Sequence, residues 1–352
     1  MKKRLTYIVP LAACCMLFTG CDKDTEATGS GDKARVQFML SGSYAIPVSS
    51  GPSAPQTRAA EEHPGLHDDM LQMLDDGRTL WLAVYEMRQD GTYLDEPTAL
   101  QSYVVRRSGN GYSTLYTCTV NPDGSVKSES DKPLYLDVGK TYKFCAVSPA
   151  RTLYNNNTAL HVRNGEYLLS TDDRYQQTES TKITIPNDGD NSGITYVYLN
   201  PLLHQTAQLQ FSIGVGKNVH RLEILPAGIE VSGLQDDKIA GRGDYNWLVS
   251  DPLKMYLGNK HSRITIKEFT TDEDGCIMGQ TSVLPTDATS SPIAVLLNLS
   301  VNGINSQYTL LLNGMQLEAA HSYKFNIKVK IEDNVTVAVW QNQSWEWDVP
   351  LQ

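Results

Sequence analysis

The residue types that usually carry catalysis occur in this sequence, but their spacing assembles no reactive site. The chain lacks the short motifs that position a nucleophile, a catalytic zinc ion, a nucleotide phosphate or a dinucleotide. His63 and His67 are four residues apart, yet Pro64 interrupts the helix on which a metal-binding pair would lie. We therefore predict no catalytic residue and no cofactor, and we expect that the chain is not an enzyme.

One acidic run imitates the beginning of a calcium-binding loop. Asp188 and Asp190 alternate with small residues as the first ligands of such a loop do. The twelfth position of the loop needs a glutamate with two coordinating oxygens, and here it is Leu199. A turn before a strand is favoured over a calcium site, and no metal is expected.

The tripeptide Arg242-Gly243-Asp244 is the sequence that integrin ligands use. It also arises by chance in chains of this length, and Asp244 after Gly243 suits a plain hairpin loop. A hairpin loop is the simpler interpretation, and adhesion through the tripeptide is the alternative.

Six cysteines are spread along the chain. The first two lie in the N-terminal targeting segment and leave with it, and Cys21 is a predicted modification site. The remaining Cys118, Cys145 and Cys276 are odd in number and widely spaced, which indicates neither a zinc site nor a disulfide framework. A single bridge between Cys118 and Cys145 and a set of buried thiols both remain compatible with this spacing.

The first twenty residues have the organisation of an export signal. A basic start, Lys2-Lys3-Arg4, precedes an apolar stretch from Tyr7 to Phe18 that is too short to span a bilayer. The stretch ends in Leu17-Phe18-Thr19-Gly20-Cys21, which resembles the lipobox of bacterial lipoproteins. We predict a signal peptide over residues 1–20 and lipid attachment at Cys21. An ordinary signal peptide that contains a cysteine is the alternative.

The charge balance argues against a nucleic-acid partner. The chain has a formal net charge of −10, and the predicted signal removes three positive charges when it is cleaved. Phosphate binding needs a cationic face, so no nucleic-acid binding is expected. With 352 residues, 40% hydrophobic and 20% charged, the composition fits about two ordinary globular domains.

A loop that follows the first strands contains one arginine. Residues 49–60 read SSGPSAPQTRAA, a run rich in proline, glycine and serine that predicts an exposed segment without regular structure. An isolated basic residue in such a loop favours cleavage by a trypsin-like protease between Arg58 and Ala59. A plain linker is the alternative.

Both ends of the chain carry a two-part strand pattern. Apolar residues alternate with polar ones, which is typical of strands that bury one face. Near the start these residues are Val36, Phe38, Leu40, Tyr44, Ile46 and Val48. At the end they are Val335, Val337, Val339, Trp345, Trp347 and Val349. The similar spacing indicates that both ends fit the same kind of groove.

The interior of the chain predicts short strands that turns separate, as in a β-sandwich. Before the domain boundary near Asn200-Pro201, strands are expected at 79–85, 100–106, 112–120, 133–137, 140–148, 165–170, 180–186 and 194–199. After it they are expected at 207–213, 220–225, 264–269, 293–301, 308–312 and 323–330. Leu66, Met70, Leu71 and Leu74 have helical spacing and predict a small helical insertion over 63–76. The expected fold is all-β, with two tandem antiparallel β-sandwich domains at 59–200 and 201–352.

Three local patterns resemble the fimbrillins of Bacteroidales, the subunits of type V pili. Residues 79–91 (TLWLAVYEMRQDG) are similar to the first strand after the cleavage loop of that family. Residues 136–144 (LDVGKTYKF) and 317–329 (LEAAHSYKFNIKV) are similar to its recurring phrase of leucine, glycine, tyrosine and phenylalanine before a strand. Two departures concern the subclass: His204 stands where an arginine is common, and Ala-His replaces glycine before Tyr323.

The resemblance implies a precursor whose residues 21–58 form a tether and propeptide strand, followed by two transthyretin-like domains. An arginine-specific protease would release the propeptide, and the donor segment 333–352 of a neighbouring subunit would replace it. The expected partners are other fimbrial subunits, in head-to-tail contact, and the outer membrane through the lipid of the precursor. The expected location is the cell surface and the fimbrium. The alternative is a glycan-binding surface lipoprotein of a polysaccharide-uptake system.

Overall fold

The computed structural model describes residues 33–44, 48–49, 71–108, 111–154, 159–171, 182–185, 194–236, 244–246, 262–286, 292–312, 315–332 and 335–341. All regular secondary structure in these residues consists of β-strands, in agreement with the alternation of apolar and polar residues. The all-β class predicted from the sequence is confirmed.

The strands that precede residue 200 are β1 (Lys33–Leu40), β2 (Ser43–Tyr44), β3 (Val48–Ser49), β4 (Leu71–Gln72), β5 (Thr79–Glu86), β6 (Ala99–Arg107), β7 (Ser113–Val120), β8 (Val126–Glu129), β9 (Leu134–Asp137), β10 (Thr141–Ser148), β11 (Leu153–Tyr154), β12 (Ala159–His161), β13 (Leu169–Ser170), β14 (Lys182–Thr184) and β15 (Ile194–Leu199). The strands that follow are β16 (Leu203–His204), β17 (Ala207–Val215), β18 (Leu222–Leu234), β19 (Asp244–Asn246), β20 (Ser262–Ile266), β21 (Thr270–Thr271), β22 (Ile277–Val283), β23 (Ile293–Val301), β24 (Ile304–Leu312), β25 (Ser322–Glu332) and β26 (Val335–Gln341).

The largest sheet has the neighbour order β15-β1-β7-β6-β5-β10-β13-β16, with β14 beside β10, β8 beside β7 and β9 beside β1. This sheet curls, because the rings of Phe38 on β1 and Phe144 on β10 lie 5.4 Å apart although four strand spacings separate them along the sheet. Four spacings amount to about 19 Å in a flat sheet. The curled sheet encloses the first core, which includes Val36, Phe38, Leu40, Leu80, Leu82, Tyr103, Val105, Leu115, Leu136, Phe144 and Val197.

Two further sheets pack face to face in the second half of the described chain. One has the order β21-β22-β17-β25-β26, with β3 beside β25, and the other has the order β20-β18-β23-β24. Apolar side chains from both sheets form the second core, as in a β-sandwich. The second core includes Leu209, Phe211, Ile213, Ile229, Val231, Val295, Leu297, Leu299, Phe325, Ile327 and Val329.

The same hydrogen-bonded turn precedes a central strand of each core, β10 and β25. The Tyr142 hydroxyl accepts a hydrogen bond from the backbone N–H of Asp137 at 3.1 Å, and the Tyr323 hydroxyl accepts one from Glu318 at 2.9 Å. In both cases the donor lies five residues before the tyrosine. Three residues before each tyrosine the backbone is left-handed, at φ +78° for Gly139 and +60° for Ala320. Ala320 thus adopts the conformation that glycine adopts in the first copy, although an L-residue is less favourable there.

The small helical insertion is not found in the residues that the structure describes. Of the segment 63–76, residues 71–76 are described, and they contain the strand β4 and a turn. Leu71 pairs with Tyr44 on β2, and Leu74 is buried against the first core. The helical spacing of these leucines was misleading because strand pairing and core packing hold them separately.

The sheets are also less uniformly antiparallel than the sequence predicts. Among the strands that the structure describes, three pairs are parallel: β1 with β15, β17 with β25, and β3 with β25. Each pair joins strands that are far apart in sequence, as parallel pairing requires a long connection.

Candidate functional site at the terminal strands

β1 is an interior strand of the large sheet, although the sequence places it before the predicted cleavage loop. Its second half pairs in parallel with β15 over residues 35–40. On its other side the first half pairs with β9, and Met39 and Leu40 pair with β7. β1 therefore satisfies the backbone groups of three neighbours at once.

The predicted inward residues of β1 fill the centre of the first core. Val36, Phe38 and Leu40 are 5%, 1% and 0% exposed. The Phe38 ring packs edge-on against the rings of Tyr103 and Phe144, with centroids 5.5 Å and 5.4 Å away. Removing β1 would open an apolar groove along the length of the sheet, which is the property that the sequence pattern predicts.

The chain leaves β1 through a tight passage at Gly42. The backbone there has φ +141°, and a Cβ atom at this position would lie 2.0 Å from the Gln72 carbonyl oxygen. Glycine is therefore needed for the close approach. Beyond it, Tyr44 on β2 pairs with Leu71 on β4, and Val48 on β3 pairs in parallel with Ser322. The first strands thus reach from the first core to the sheet of the second.

β26 pairs antiparallel with β25 of the same chain, from Glu332↔Val335 to Asn326↔Gln341. Ala338 lies opposite Val329 and packs against the second core. The predicted inward residues Val335, Val337 and Val339 stand in register with Glu332, Lys330 and Lys328. Their assignment as a donor face remains a prediction about the exchanged strand.

Several predicted residues lie outside the described part of the chain. These are Cys21, Ile46, Arg58, Ala59, Trp345, Trp347 and Val349. For Tyr44, Val48, Val335, Val337 and Val339 the structure describes the backbone. The first part of each terminal strand pattern, β1 and β26, is therefore described, and the two strands lie in different sheets.

A small cavity lies where β2, β4 and β16 meet. It has a volume of about 190 Å³ and is lined by Ser43, Gln72, Met73, Leu74, Asp75, Arg78, Arg107, Tyr167, Leu169 and His204. His204 is 5% exposed, and its Nδ1 atom is buried without a hydrogen-bond partner in the described chain. Burial away from water lowers the pKa of the His204 imidazole from 6.5 to about 4. The histidine is therefore neutral at physiological pH and cannot act as a cation in place of arginine.

Neither a metal site nor a membrane-spanning helix occurs in the described residues. No group of three His, Cys, Asp or Glu side chains there could hold a metal ion. No helix in the described ranges is long and apolar enough to cross a membrane. Cys118, Cys145 and Cys276 are thiols that form no disulfide in the described residues, and the first two are buried. The alternative of a Cys118–Cys145 bridge is thus not adopted.

Exposed tyrosines are a feature that the sequence patterns did not single out. Five of them belong to β7, β9, β15 and the turn before β7, namely Tyr112, Tyr116, Tyr135, Tyr196 and Tyr198, and they are 38% to 54% exposed. A signal was available, because Tyr196 and Tyr198 alternate with the buried Val197 and Leu199. Alternation in which the outward residues are aromatic predicts a strand that presents a second, exposed face.

The sequence of this chain matches the model of a known protein family. A profile of the fimbrillin-like family matches residues 33–349, which span both cores and both terminal strands. The chain belongs to the fimbrillin-like family. The resemblance seen in the sequence is confirmed at the level of the family.

A solved structure supports the same assignment for this fimbrillin-like protein. It is similar to the crystal structure of a candidate cell adhesion protein from Bacteroides fragilis, with 39% sequence identity and a TM-score of 0.70. The alignment covers 90% of this chain and all of that one. No curated protein matches the chain.

Proposed function

We propose that this fimbrillin-like protein is a structural or adhesive subunit of a type V fimbria that polymerises by strand exchange. In this proposal Cys21 carries the lipid that anchors the precursor in the outer membrane. An arginine-specific protease cleaves after Arg58 at the cell surface. The propeptide strand then leaves, and the donor segment 333–352 of a neighbouring subunit takes its place. The two cores correspond to two transthyretin-like domains, divided near residue 200.

The observation that carries the proposal is the position of β1. A strand that precedes the predicted cleavage site provides Val36, Phe38 and Leu40 to the centre of the first core. A segment that is to be discarded has no reason to be so well packed unless another strand replaces it. An empty groove would expose unpaired backbone groups and apolar surface, which is an aggregation hazard. A donor strand that adds to the sheet pairs these backbone groups and covers the apolar surface.

The exchange requires cleavage because the propeptide strand is held strongly. β1 buries four large apolar side chains, Val36, Phe38, Met39 and Leu40. At about 1.5–3 kcal/mol for each buried side chain, their burial contributes on the order of 6–12 kcal/mol. While the loop is intact, β1 also has the high effective concentration of an intramolecular ligand. Cleavage removes this advantage, so that an incoming strand competes with a peptide free to diffuse away.

The test is an Arg58→Ala precursor treated with an arginine-specific protease. We expect it to retain the propeptide and to stay monomeric, whereas the wild-type chain yields an N-terminal Ala59 and a ladder of polymers. N-terminal sequencing and electron microscopy give the two measurements. Arg221→Ala is the matched control, since Arg221 is an exposed arginine paired with Glu223, and it should polymerise normally. Polymers of Arg58→Ala at wild-type yield would contradict the proposal.

A further inference from the structure

The outer face of the large sheet carries a group of tyrosines that surrounds β1. The register places Tyr196 and Tyr198 on β15 beside Gln37 and Met39, and Tyr135 on β9 beside Arg35. These side chains alternate with the buried Val36 and Phe38 and therefore share the face opposite the first core.

The remaining two tyrosines belong to the β7 side of the same face. Tyr116 alternates with Leu115 of the first core and stands opposite Val104 on β6. The Tyr112 ring meets the Tyr198 ring edge-on, with centroids 5.1 Å apart. The tyrosine face is here defined as Tyr112, Tyr116, Tyr135, Tyr196 and Tyr198 with Arg35 and Gln37 between them.

The spacing of the tyrosine face suits an extended chain of rings. Tyr196 and Tyr198 are two residues apart on one strand, which separates them by about 7 Å. The strands of Tyr135 and Tyr196, on opposite sides of β1, are two strand spacings apart, or about 10 Å. Aromatic faces of this kind stack on the C–H faces of pyranose rings, and the tyrosine hydroxyls add hydrogen-bonding groups at the edges.

Polar residues lie between the tyrosines along β1. Arg35, beside Tyr135, is exposed, and Gln37, beside Tyr196, donates its amide Nε2–H to the Leu115 carbonyl oxygen at 2.8 Å. The fixed amide and the charge are groups that recognise hydroxyl and carboxylate oxygens.

Arg35 gives the tyrosine face its charge. Lys33 at the end of the same strand is 3.8 Å from Asp137, and Asp137 also pairs with Lys140. Within the residues that the structure describes, no ion pair engages the Arg35 guanidinium. A cation beside Tyr135 and on the same face as the other tyrosines complements a sugar that carries a carboxylate. The acidic remainder of the chain acts over short range only, because salt screens charges beyond about 8 Å.

We infer that the tyrosine face binds a carboxylated polysaccharide, with sugar rings on the tyrosines and a uronate or sialate carboxylate on Arg35. The inference goes beyond strand exchange and does not depend on it. All five tyrosines follow Arg58 in the sequence, whereas Arg35 precedes it. The aromatic frame therefore belongs to cleaved and uncleaved chains alike, and the carboxylate contact belongs to the chain that retains β1.

The test is a glycan array that carries sialylated and uronate-containing oligosaccharides, each beside its neutral counterpart, such as sialyllactose beside lactose and hyaluronan beside carboxyl-reduced hyaluronan. The probe is the exported chain with Arg58→Ala, so that β1 is retained. We expect binding to at least one carboxylated glycan and binding at least about tenfold weaker to its neutral counterpart. Binding to no carboxylated glycan, or equal binding to both members of each pair, would overturn the inference.

Substitutions then assign the binding to the face. In a titration with the carboxylated glycan that binds, Tyr196→Ala with Tyr198→Ala and, separately, Arg35→Gln should each weaken binding about tenfold or more. Arg35→Lys should retain part of it. Tyr154→Ala is the matched control, since Tyr154 is 50% exposed but belongs to β11, and it should bind as the parent does. Unchanged binding by the tyrosine variant would place the ligand elsewhere and refute the inference.

Two further measurements keep the result independent of folding and of assembly. The substituted tyrosines are exposed, so the midpoint of thermal unfolding should be unchanged. The same tyrosine substitutions in a cleavable chain should leave polymer yield unchanged, since they lie on the face opposite the groove. Loss of glycan binding with normal polymerisation supports the tyrosine face, whereas failed polymerisation of the parent chain bears on strand exchange alone.

Discussion

At the scale of single residues, His204 makes the stability of this protein depend on pH. Its pKa is lowered to about 4 in the folded chain, from 6.5, because the imidazole is buried without a partner. Between these values the unfolded chain binds a proton that the folded chain does not bind. The stability is therefore fully present above pH 6.5 and is lost as pH falls toward 4. The loss reaches about 3 kcal/mol, at 1.36 kcal/mol for each pKa unit.

We accordingly predict that the free energy of unfolding of His204→Gln, relative to the native chain, rises by up to about 3 kcal/mol between pH 7 and pH 4. Denaturant titrations at several pH values provide the measurement. His220→Gln is a suitable control, because His220 is exposed, and it should follow the native chain. Parallel pH profiles for His204→Gln and the native chain would contradict the prediction, because they would mean that the pKa of His204 is the same in the folded and the unfolded chain.

At the scale of elements, the C-terminal segment divides into two parts with different roles. β26 pairs with β25 along seven residues, and its Ala338 packs against the second core. Residues 342–352 follow this pairing and contain the two tryptophans of the predicted donor. β26 therefore completes its own sheet, and in the proposed exchange the residues that follow it reach a neighbouring subunit.

Two truncations separate these roles. A chain that ends at Gln341 should unfold within about 0.5 kcal/mol of the full chain, yet form no polymer after cleavage. A chain that ends at Asp333 also lacks β26 and should lose at least about 2 kcal/mol, because a ladder and a core contact disappear. Denaturant midpoints and polymer yield measure both effects. Wild-type polymer yield from the Gln341 chain would show that its tryptophans are not required as donors.

The sequence predicts most strands because each buries one face, and alternation reports such burial directly. Ala207–Val215 and Ser322–Glu332 begin and end near the predicted positions. β22 was missed because Ile277–Val283 combines a glycine with polar residues, one of which, Thr281, is buried. Pairing could not be predicted, since the parallel contact of β1 with β15 joins residues that are about 160 positions apart. The tyrosine face groups residues from several strands through that pairing, so the sequence alone indicated only the exposed pair on β15.

At the scale of the whole molecule, the proposed strand exchange joins the groove at one end of a chain to the donor segment of another, which is a head-to-tail contact. Contacts of this kind use two different surfaces and grow into open filaments, whereas a contact between identical surfaces closes into a dimer. Such a filament has two distinguishable ends, because one exposes an unfilled groove and the other an unused donor. Each end can then be blocked by a subunit that has lost one of the two functions.

The final prediction concerns two altered subunits, each of which blocks one end of the filament. A cleaved chain that ends at Gln341 accepts a donor but cannot provide one, and an Arg58→Ala chain provides a donor but keeps its groove filled. Each, mixed at about one tenth of the wild-type subunits before cleavage, should shorten the filaments to roughly ten subunits, because each cap stops growth at one end. Filament length in electron micrographs measures the effect, and Tyr154→Ala added at the same ratio should leave it unchanged. If only one of the two subunits shortens the filaments, the other function lies outside the segment assigned to it, and the contact is not the exchange of β1 for residues 333–352.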